Sequence, residues 1–151
     1  MPILDIYGIT PEKFMKIHNE LSFRVNEFNP DILKVMEHLR NKNIKSIVKS
    51  DWWRETQEGL LHKFGVLDYV EELHCCDGAY LKSNPQSVKG IIKPGREEEY
   101  VIIGDSLTSD VCFAEYAGIK SIWFNRLGEK NQTQYRPTFE VASLLEAIEI
   151  I

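Results

Sequence analysis

Short apolar runs alternate with segments of helical periodicity along this chain, and no other feature of the sequence limits the fold as strongly. Apolar runs predict strands at residues 1–6, 44–49, 73–76, 100–103 and 121–124. Helical spacing predicts helices at residues 10–21, 29–39, 86–92 and 111–117, and a last helix capped by Ser143. A further helix follows the strand at residues 44–49 and runs to about residue 64, where Gly65 ends it. Strands and helices that alternate with short connections are typical of a parallel α/β sheet. The sequence therefore predicts an α/β fold with a mainly parallel five-stranded sheet, forming one domain over residues 1–151.

Length and charge exclude several classes of protein. The chain has 151 residues and a net charge of −5, and it carries no basic run, so we expect no nucleic-acid partner. No apolar run approaches the ~20 residues of a membrane span, and the first residues lack the pattern of a signal peptide. The three cysteines, Cys75, Cys76 and Cys112, fit neither a disulfide framework nor a zinc site. We therefore expect a cytoplasmic protein without a membrane partner.

The segment from Gly104 to Asp110 is the strongest candidate for a metal-binding or catalytic site. It follows the apolar run 100–103, so Asp105 falls at the carboxyl end of a predicted strand, where ligands bind in open α/β sheets. Asp110 follows in the turn or in the first turn of the next helix. Two clustered carboxylates suit Mg²⁺, which usually takes one or two of them and keeps several waters. The same pattern also suits a capped helix with an acidic first turn.

Other polar residues are predicted to reach the same edge of the sheet. Asp5 and Ser50 each follow an apolar run, as Asp105 does, and the carboxyl ends of parallel strands share one edge. Lys82 lies in a loop before Pro85, from which its ammonium group could face that edge. A carboxylate nucleophile, a hydroxyl group, a metal-binding acid and a cation together suit phosphoryl transfer.

Four segments of the chain resemble the motifs of the haloacid dehalogenase-like (HAD) superfamily of hydrolases. They are Asp5-Ile6-Tyr7-Gly8, Ser50 after its strand, Lys82-Ser83-Asn84-Pro85, and Gly104-Asp105-Ser106 with Asp110. Residues 117–125 and 136–141 look most like the branch that contains pyrimidine nucleotidases. The resemblance implies a Rossmannoid three-layer fold, with a cap that is minimal or truncated. It also implies a Mg²⁺-dependent phosphatase that acts on a small phosphorylated substrate.

Roles for individual residues follow from that resemblance. Asp5 would be the nucleophile and would form an aspartyl-phosphate, while Ser50 and Lys82 would position and neutralise the phosphoryl group. The resemblance also implies a set of Mg²⁺ ligands. These are Asp5, the carbonyl of Tyr7, Asp105 and, through water, Asp110.

The first motif departs from the family pattern at Tyr7. Family phosphatases carry an Asp at this position, which acts as general acid for the leaving group, whereas Tyr occurs there in the metal-independent dehalogenases. Asp105 and Asp110 favour phosphate chemistry, because those dehalogenases do not keep the acidic motif. General acid–base catalysis typically contributes ~10²–10⁴ in rate, so we expect a slow enzyme.

The spacing between the first two motifs leaves three interpretations open. Ser50 follows Asp5 by 45 positions, which is shorter than relatives with a helical cap require. In the first interpretation Asp5 is the nucleophile of a nearly capless enzyme. In the second, residues 1–6 form a strand that has no catalytic role. In the third interpretation the chain begins inside the cap, residues 8–28 are a cap remnant, and the protein is a truncated or non-catalytic HAD fold with a Mg²⁺ or phosphate pocket. An open site would also favour a homodimer or a macromolecular substrate.

Overall fold

The computed structural model describes residues 8–151, which contain five α-helices and five strands. The α-helices are α1 (Pro11–Ser22), α2 (Asp31–Asn41), α3 (Arg54–Lys63), α4 (Cys112–Ala117) and α5 (Leu144–Ile148). The strands are β1 (Ile47–Lys49), β2 (Glu72–His74), β3 (Val101–Gly104), β4 (Lys120–Phe124) and β5 (Phe139–Val141). Three short 3-10 turns, Leu67–Tyr69, Pro85–Val88 and Glu97–Glu99, lie in the connections.

All the described strand pairs are parallel, as the sequence predicts. β1 pairs with β2, with Val48 opposite Leu73. β3, β4 and β5 form a second sheet in that order, with Ile103 opposite Ile122. The α/β class is therefore confirmed. The predicted strand at residues 1–6 lies outside the described residues, and the five described strands form sheets of two and three.

Two apolar clusters hold the helices against β3, β4 and β5. Phe113 and Ala117 of α4 pack with Ile91 and with Ile102 of β3. On β4, Ile122 packs with Val141 of β5 and with Ala147 of α5, which has no exposed surface. Gly118 ends α4 with φ 67°, a left-handed conformation in which glycine carries no steric penalty, and the chain turns directly into β4.

The structure corrects the sequence prediction in three places. Residues 86–92 do not form a helix: only the 3-10 turn Pro85–Val88 is present, because the backbone is extended at Lys89 and Gly90 follows with φ 81°. The helix predicted from Val111 begins instead with a π-helical turn, Leu107–Val111, and α4 follows it. Strand β5 was not predicted, since it is only three residues long and two of the three are exposed.

The first helix packs on the helix that follows β1. Thr10 caps α1 by accepting a hydrogen bond from the Lys13 amide at 3.2 Å. The hydroxyl of Thr56 in α3 is fully buried, and it donates to Asn19 of α1. Residues 8–28 are therefore docked on the α/β core, and their identity as a cap remnant stays a prediction. No helix in residues 8–151 is long and apolar enough to cross a membrane.

Candidate functional site

Lys82 and Asp110 form a buried ion pair beside the carboxyl end of β3. Their Nζ and Oδ1 atoms lie 2.5 Å apart, and their side chains are only 14% and 7% exposed. The other carboxylate oxygen of Asp110 accepts a hydrogen bond from the Ser106 amide at 3.0 Å. Both oxygens of Asp110 are thus held in place, as a buried charge requires.

Gly104 allows the carboxylate of Asp110 to lie against the end of β3. A Cβ atom at position 104 would lie 2.1 Å from Cγ of Asp110, closer than any real contact. The π-helical turn Leu107–Val111 brings Asp110 back toward the strand, and π-helical turns are frequent at functional sites. The glycine of the Gly-Asp-Ser motif is therefore required by the position of the second carboxylate.

Asp105 lies at the same strand end and is exposed to solvent. Its backbone carbonyl accepts a hydrogen bond from Nε1 of the buried Trp123 at 3.0 Å, which fixes the backbone at this point. Beside Asp105 lies an open groove of about 720 Å³ between the loop after β3 and the loop after β4. The groove is lined by Asp105, Ser106, Leu107, Thr108, Trp123, Glu129, Lys130, Gln132 and Thr133.

The far wall of this groove is a loop that side-chain hydrogen bonds keep ordered. Buried Asn125 accepts from the Glu129 amide at 2.8 Å and donates to the Glu129 carbonyl at 2.9 Å. Asn131 makes a similar pair of contacts, with the Thr133 amide and the Tyr135 carbonyl. The sequence shows only a polar loop here, because nothing local distinguishes these asparagines from exposed ones.

Ser50 sits directly after β1, where it closes the turn into α3. Its amide extends the β1–β2 ladder by donating to the His74 carbonyl at 2.9 Å. Its hydroxyl accepts from the Trp52 amide at 3.1 Å and donates to Oε1 of Gln57 at 2.9 Å. The hydroxyl is thus held at the carboxyl end of β1, as the sequence predicts.

Asp51 joins the loops that follow β1, β2 and β3. Its Oδ1 accepts from the Lys82 amide at 2.8 Å, and its Oδ2 accepts from the Ser109 hydroxyl at 3.3 Å. The loops that carry Ser50, Lys82 and Asp110 therefore meet, although these residues are far apart in the sequence. The sequence predicts no role for Asp51, because its contacts are visible only in the structure.

Lys49 is a site residue that sequence reasoning missed. Its side chain is only 4% exposed, and Nζ lies 3.7 Å from Oδ1 of Asp51. Burial lowers the pKa of Lys49 below its ordinary value, and the nearby charge of Lys82 lowers it further, whereas the Asp51 carboxylate opposes this shift. A lysine that ends an otherwise apolar strand was the available signal.

The structure places four of the predicted site residues and leaves two outside its description. Lys82 contacts Asp110, and Asp105 follows the same strand end at which Asp110 is held. Ser50 joins this group through its neighbour Asp51. Asp5 and Tyr7 lie outside the described residues, so their predicted roles stay predictions.

The carboxylates fit Mg²⁺ as part of a ligand set. Asp105 and Asp110 offer hard oxygen donors on adjoining segments, which matches the preference of Mg²⁺ for one or two carboxylates and several waters. Because Lys82 and Ser106 already occupy the oxygens of Asp110, a contact through water suits this residue better than direct ligation. Within residues 8–151 no cluster of three or more His, Cys, Asp or Glu residues forms a metal site.

Comparisons with known proteins identify related chains and folds. The family model of the haloacid dehalogenase-like hydrolases matches residues 5–124. Pyrimidine 5'-nucleotidase PynA of Streptococcus pneumoniae is 33% identical over 100 residues, which are 65% of this chain and 40% of that protein. The chain thus aligns with less than half the length of this curated relative.

Solved structures of the same fold span nearly the whole chain. The HAD-family protein YfnB of Bacillus subtilis, in a magnesium-bound crystal form, superposes with a TM-score of 0.78 at 20% identity, covering 99% of this chain and 67% of that one. A HAD phosphatase of Thermococcus onnurineus gives a TM-score of 0.77 at 23% identity, covering 97% and 67%. These similarities confirm the Rossmannoid fold.

Proposed function

The chain belongs to the haloacid dehalogenase-like hydrolase family, and we propose that it is a Mg²⁺-dependent phosphatase of small phosphate esters. The observation that supports this most is the buried Lys82–Asp110 pair beside Asp105, at the carboxyl ends of parallel strands. A cation at this edge suits the neutralisation of a phosphoryl group, and two carboxylates suit the binding of Mg²⁺. When bound, Mg²⁺ would offset negative charge on the phosphoryl oxygens.

Each site residue has its own role in the proposed reaction. Lys82, held by Asp110, places its ammonium group near the phosphoryl oxygens, and the hydroxyl of Ser50 exchanges its hydrogen bond to Gln57 for one to a phosphoryl oxygen. Asp105 and Asp110 would hold the Mg²⁺, with Asp5 and the carbonyl of Tyr7 added on the basis of the family resemblance. Asp5 would attack phosphorus as its bond to the ester oxygen breaks, water would supply the proton that turns the leaving oxygen into an alcohol or phenol, and a further water would hydrolyse the aspartyl-phosphate.

A pyrimidine nucleoside monophosphate is the substrate that we propose to test first. The related PynA is a pyrimidine 5'-nucleotidase, and the groove of about 720 Å³ beside Asp105 has a volume typical of small-molecule sites. The polar side chains among its lining residues offer hydrogen-bond partners for a sugar and a base. Initial rates on UMP, CMP, AMP and GMP at equal concentration test this choice, and equal rates on all four would contradict it.

The nucleophile is tested by trapping the covalent intermediate. Acid quenching during turnover, followed by borohydride reduction, should convert the phosphorylated aspartate to homoserine, which mass spectrometry locates within the peptide that ends at Lys13. We expect the label at Asp5 and its absence in Asp5→Asn. Turnover without any label at Asp5 would contradict the proposed nucleophile.

Tyr7 favours one alternative, a HAD fold that keeps the Mg²⁺ or phosphate pocket but performs no chemistry. The residue replaces the family's general acid, so leaving-group protonation would lack its usual donor. Phosphate binding without turnover on either aryl phosphates or nucleotides would support this alternative. The cytoplasmic setting and a homodimer remain predictions in both cases.

A further inference from the structure

Asp51 contacts both segments that carry the Lys82–Asp110 pair. Its Oδ1 accepts the hydrogen bond from the backbone amide of Lys82, at 2.8 Å, and its Oδ2 accepts from the hydroxyl of Ser109, the residue before Asp110, at 3.3 Å. One carboxylate therefore sets the distance between the loop after β2 and the π-helical turn after β3. Displacing it would displace the backbone on both sides of the ion pair.

Lys49 adds a charged contact to Asp51. It ends strand β1, a regular element that is paired to β2 at Lys49 and His74. Its buried Nζ lies 3.7 Å from Oδ1 of Asp51 and 3.4 Å from the Ser50 carbonyl. A buried lysine needs a nearby anion, and Asp51, two positions further along the chain, supplies it. The ammonium group of Lys49 in turn attracts the carboxylate that contacts both loops.

The site therefore contains two linked ion pairs. Lys49 and Asp51, which are 4% and 29% exposed, form one pair, and Lys82 and Asp110 form the other. The contact of Asp51 with the Lys82 amide couples them. A group that must meet a phosphoryl oxygen needs its position fixed to within a fraction of an ångström, and residues locked by neighbouring hydrogen bonds supply this.

We propose that Asp51 is a positioning residue of the phosphate site, held by Lys49, and that it determines where Lys82 presents its ammonium group. The proposal rests on the proposed function, because Lys82 is taken to face phosphate. Asp51 itself touches no substrate in this account. It acts on the phosphate only through the placement of Lys82 and Asp110.

Three variants test this role, with inorganic phosphate as the probe. Asp51→Ala removes the acceptor of the Lys82 amide, Asp51→Asn leaves Lys49 without an anion, and Asp51→Asn with Lys49→Met keeps an acceptor and removes the buried charge. Asp77→Ala is the matched control, since Asp77 also accepts a backbone hydrogen bond, from the Arg54 amide at 3.3 Å. Calorimetry gives the phosphate affinity with Mg²⁺ present, and hydrogen exchange follows the Lys82 amide.

We expect Asp51→Ala to weaken phosphate binding about tenfold or more, as the loss of a charged hydrogen bond at a site implies. The Lys82 amide should exchange faster, while amides of β3 stay unchanged. The double variant should bind phosphate more tightly than Asp51→Asn alone, and Asp77→Ala should bind it as the wild type does.

The outcomes separate this inference from the proposed function. If Asp51→Ala weakens phosphate binding but the wild-type protein shows no turnover, the proposed phosphatase activity is contradicted and the role of Asp51 is supported. Turnover with an unchanged phosphate affinity in Asp51→Ala overturns the role of Asp51 alone. Wild-type protein that neither binds phosphate nor turns over contradicts both.

Discussion

At the scale of single residues, Gly104 determines whether Asp110 can approach the end of β3. Gly104→Ala places a Cβ atom on the Asp110 carboxylate, so we expect a loss of about 1–3 kcal/mol in the free energy of unfolding. Gly78→Ala is the control, because nothing lies within 4 Å of its added Cβ, and we expect it to be close to neutral. Urea denaturation measures both, and an equal effect of the two would contradict the packing described.

The Lys82–Asp110 pair leads to a second prediction at this scale. Asp110→Asn leaves the ammonium group of Lys82 buried beside a neutral amide, so we expect a loss of about 3–5 kcal/mol in stability. Glu71→Gln breaks the exposed pair with Lys45, and there we expect about 0–1 kcal/mol. Similar losses of stability in the two variants, measured by chemical denaturation, would contradict the burial of the Lys82–Asp110 pair.

At the scale of secondary-structure elements, Thr56 connects the N-terminal helix to the core. Thr56→Val keeps the shape of the side chain but leaves the buried Asn19 without its donor, so we expect a loss of about 1–3 kcal/mol. Hydrogen exchange should show faster opening of α1, whereas the exposed Thr108→Val should leave α1 unchanged. Unchanged protection of α1 in Thr56→Val would show that other contacts dock this helix.

The elements also show which parts of the fold and of the site a sequence can predict. Helix α3, which was expected to end before Gly65, and strand β3, which precedes Asp105, follow from local apolar spacing and glycine signals. Strand β5 and the ordered loop before it depend on distant partners, such as Asn125 with Glu140, that no local pattern reveals. The contacts of Asp51 were missed for the same reason, since they join residues 31 and 58 positions away.

At the scale of the whole molecule, Mg²⁺ binding should stabilise the folded chain. A ligand that binds only the native state adds about 2.7 kcal/mol at a hundredfold excess over its Kd, which is several degrees in Tm for a chain of this size. We expect this rise in wild-type protein and its loss in Asp105→Asn. Glu98→Gln, in an exposed 3-10 turn, should keep the rise. Equal Mg²⁺ shifts in all three proteins would show that the ion binds elsewhere.

The central claim is that Asp105 and Asp110, the carboxylates that follow β3, support the hydrolysis of phosphate esters. The most direct test measures the initial rate of 4-nitrophenyl phosphate hydrolysis with Mg²⁺ and with a chelator, in wild-type protein and in Asp105→Asn. We expect slow but Mg²⁺-dependent turnover, which falls to background in the variant and with the chelator. Turnover that persists without a divalent ion, or that Asp105→Asn leaves unchanged, would contradict the account.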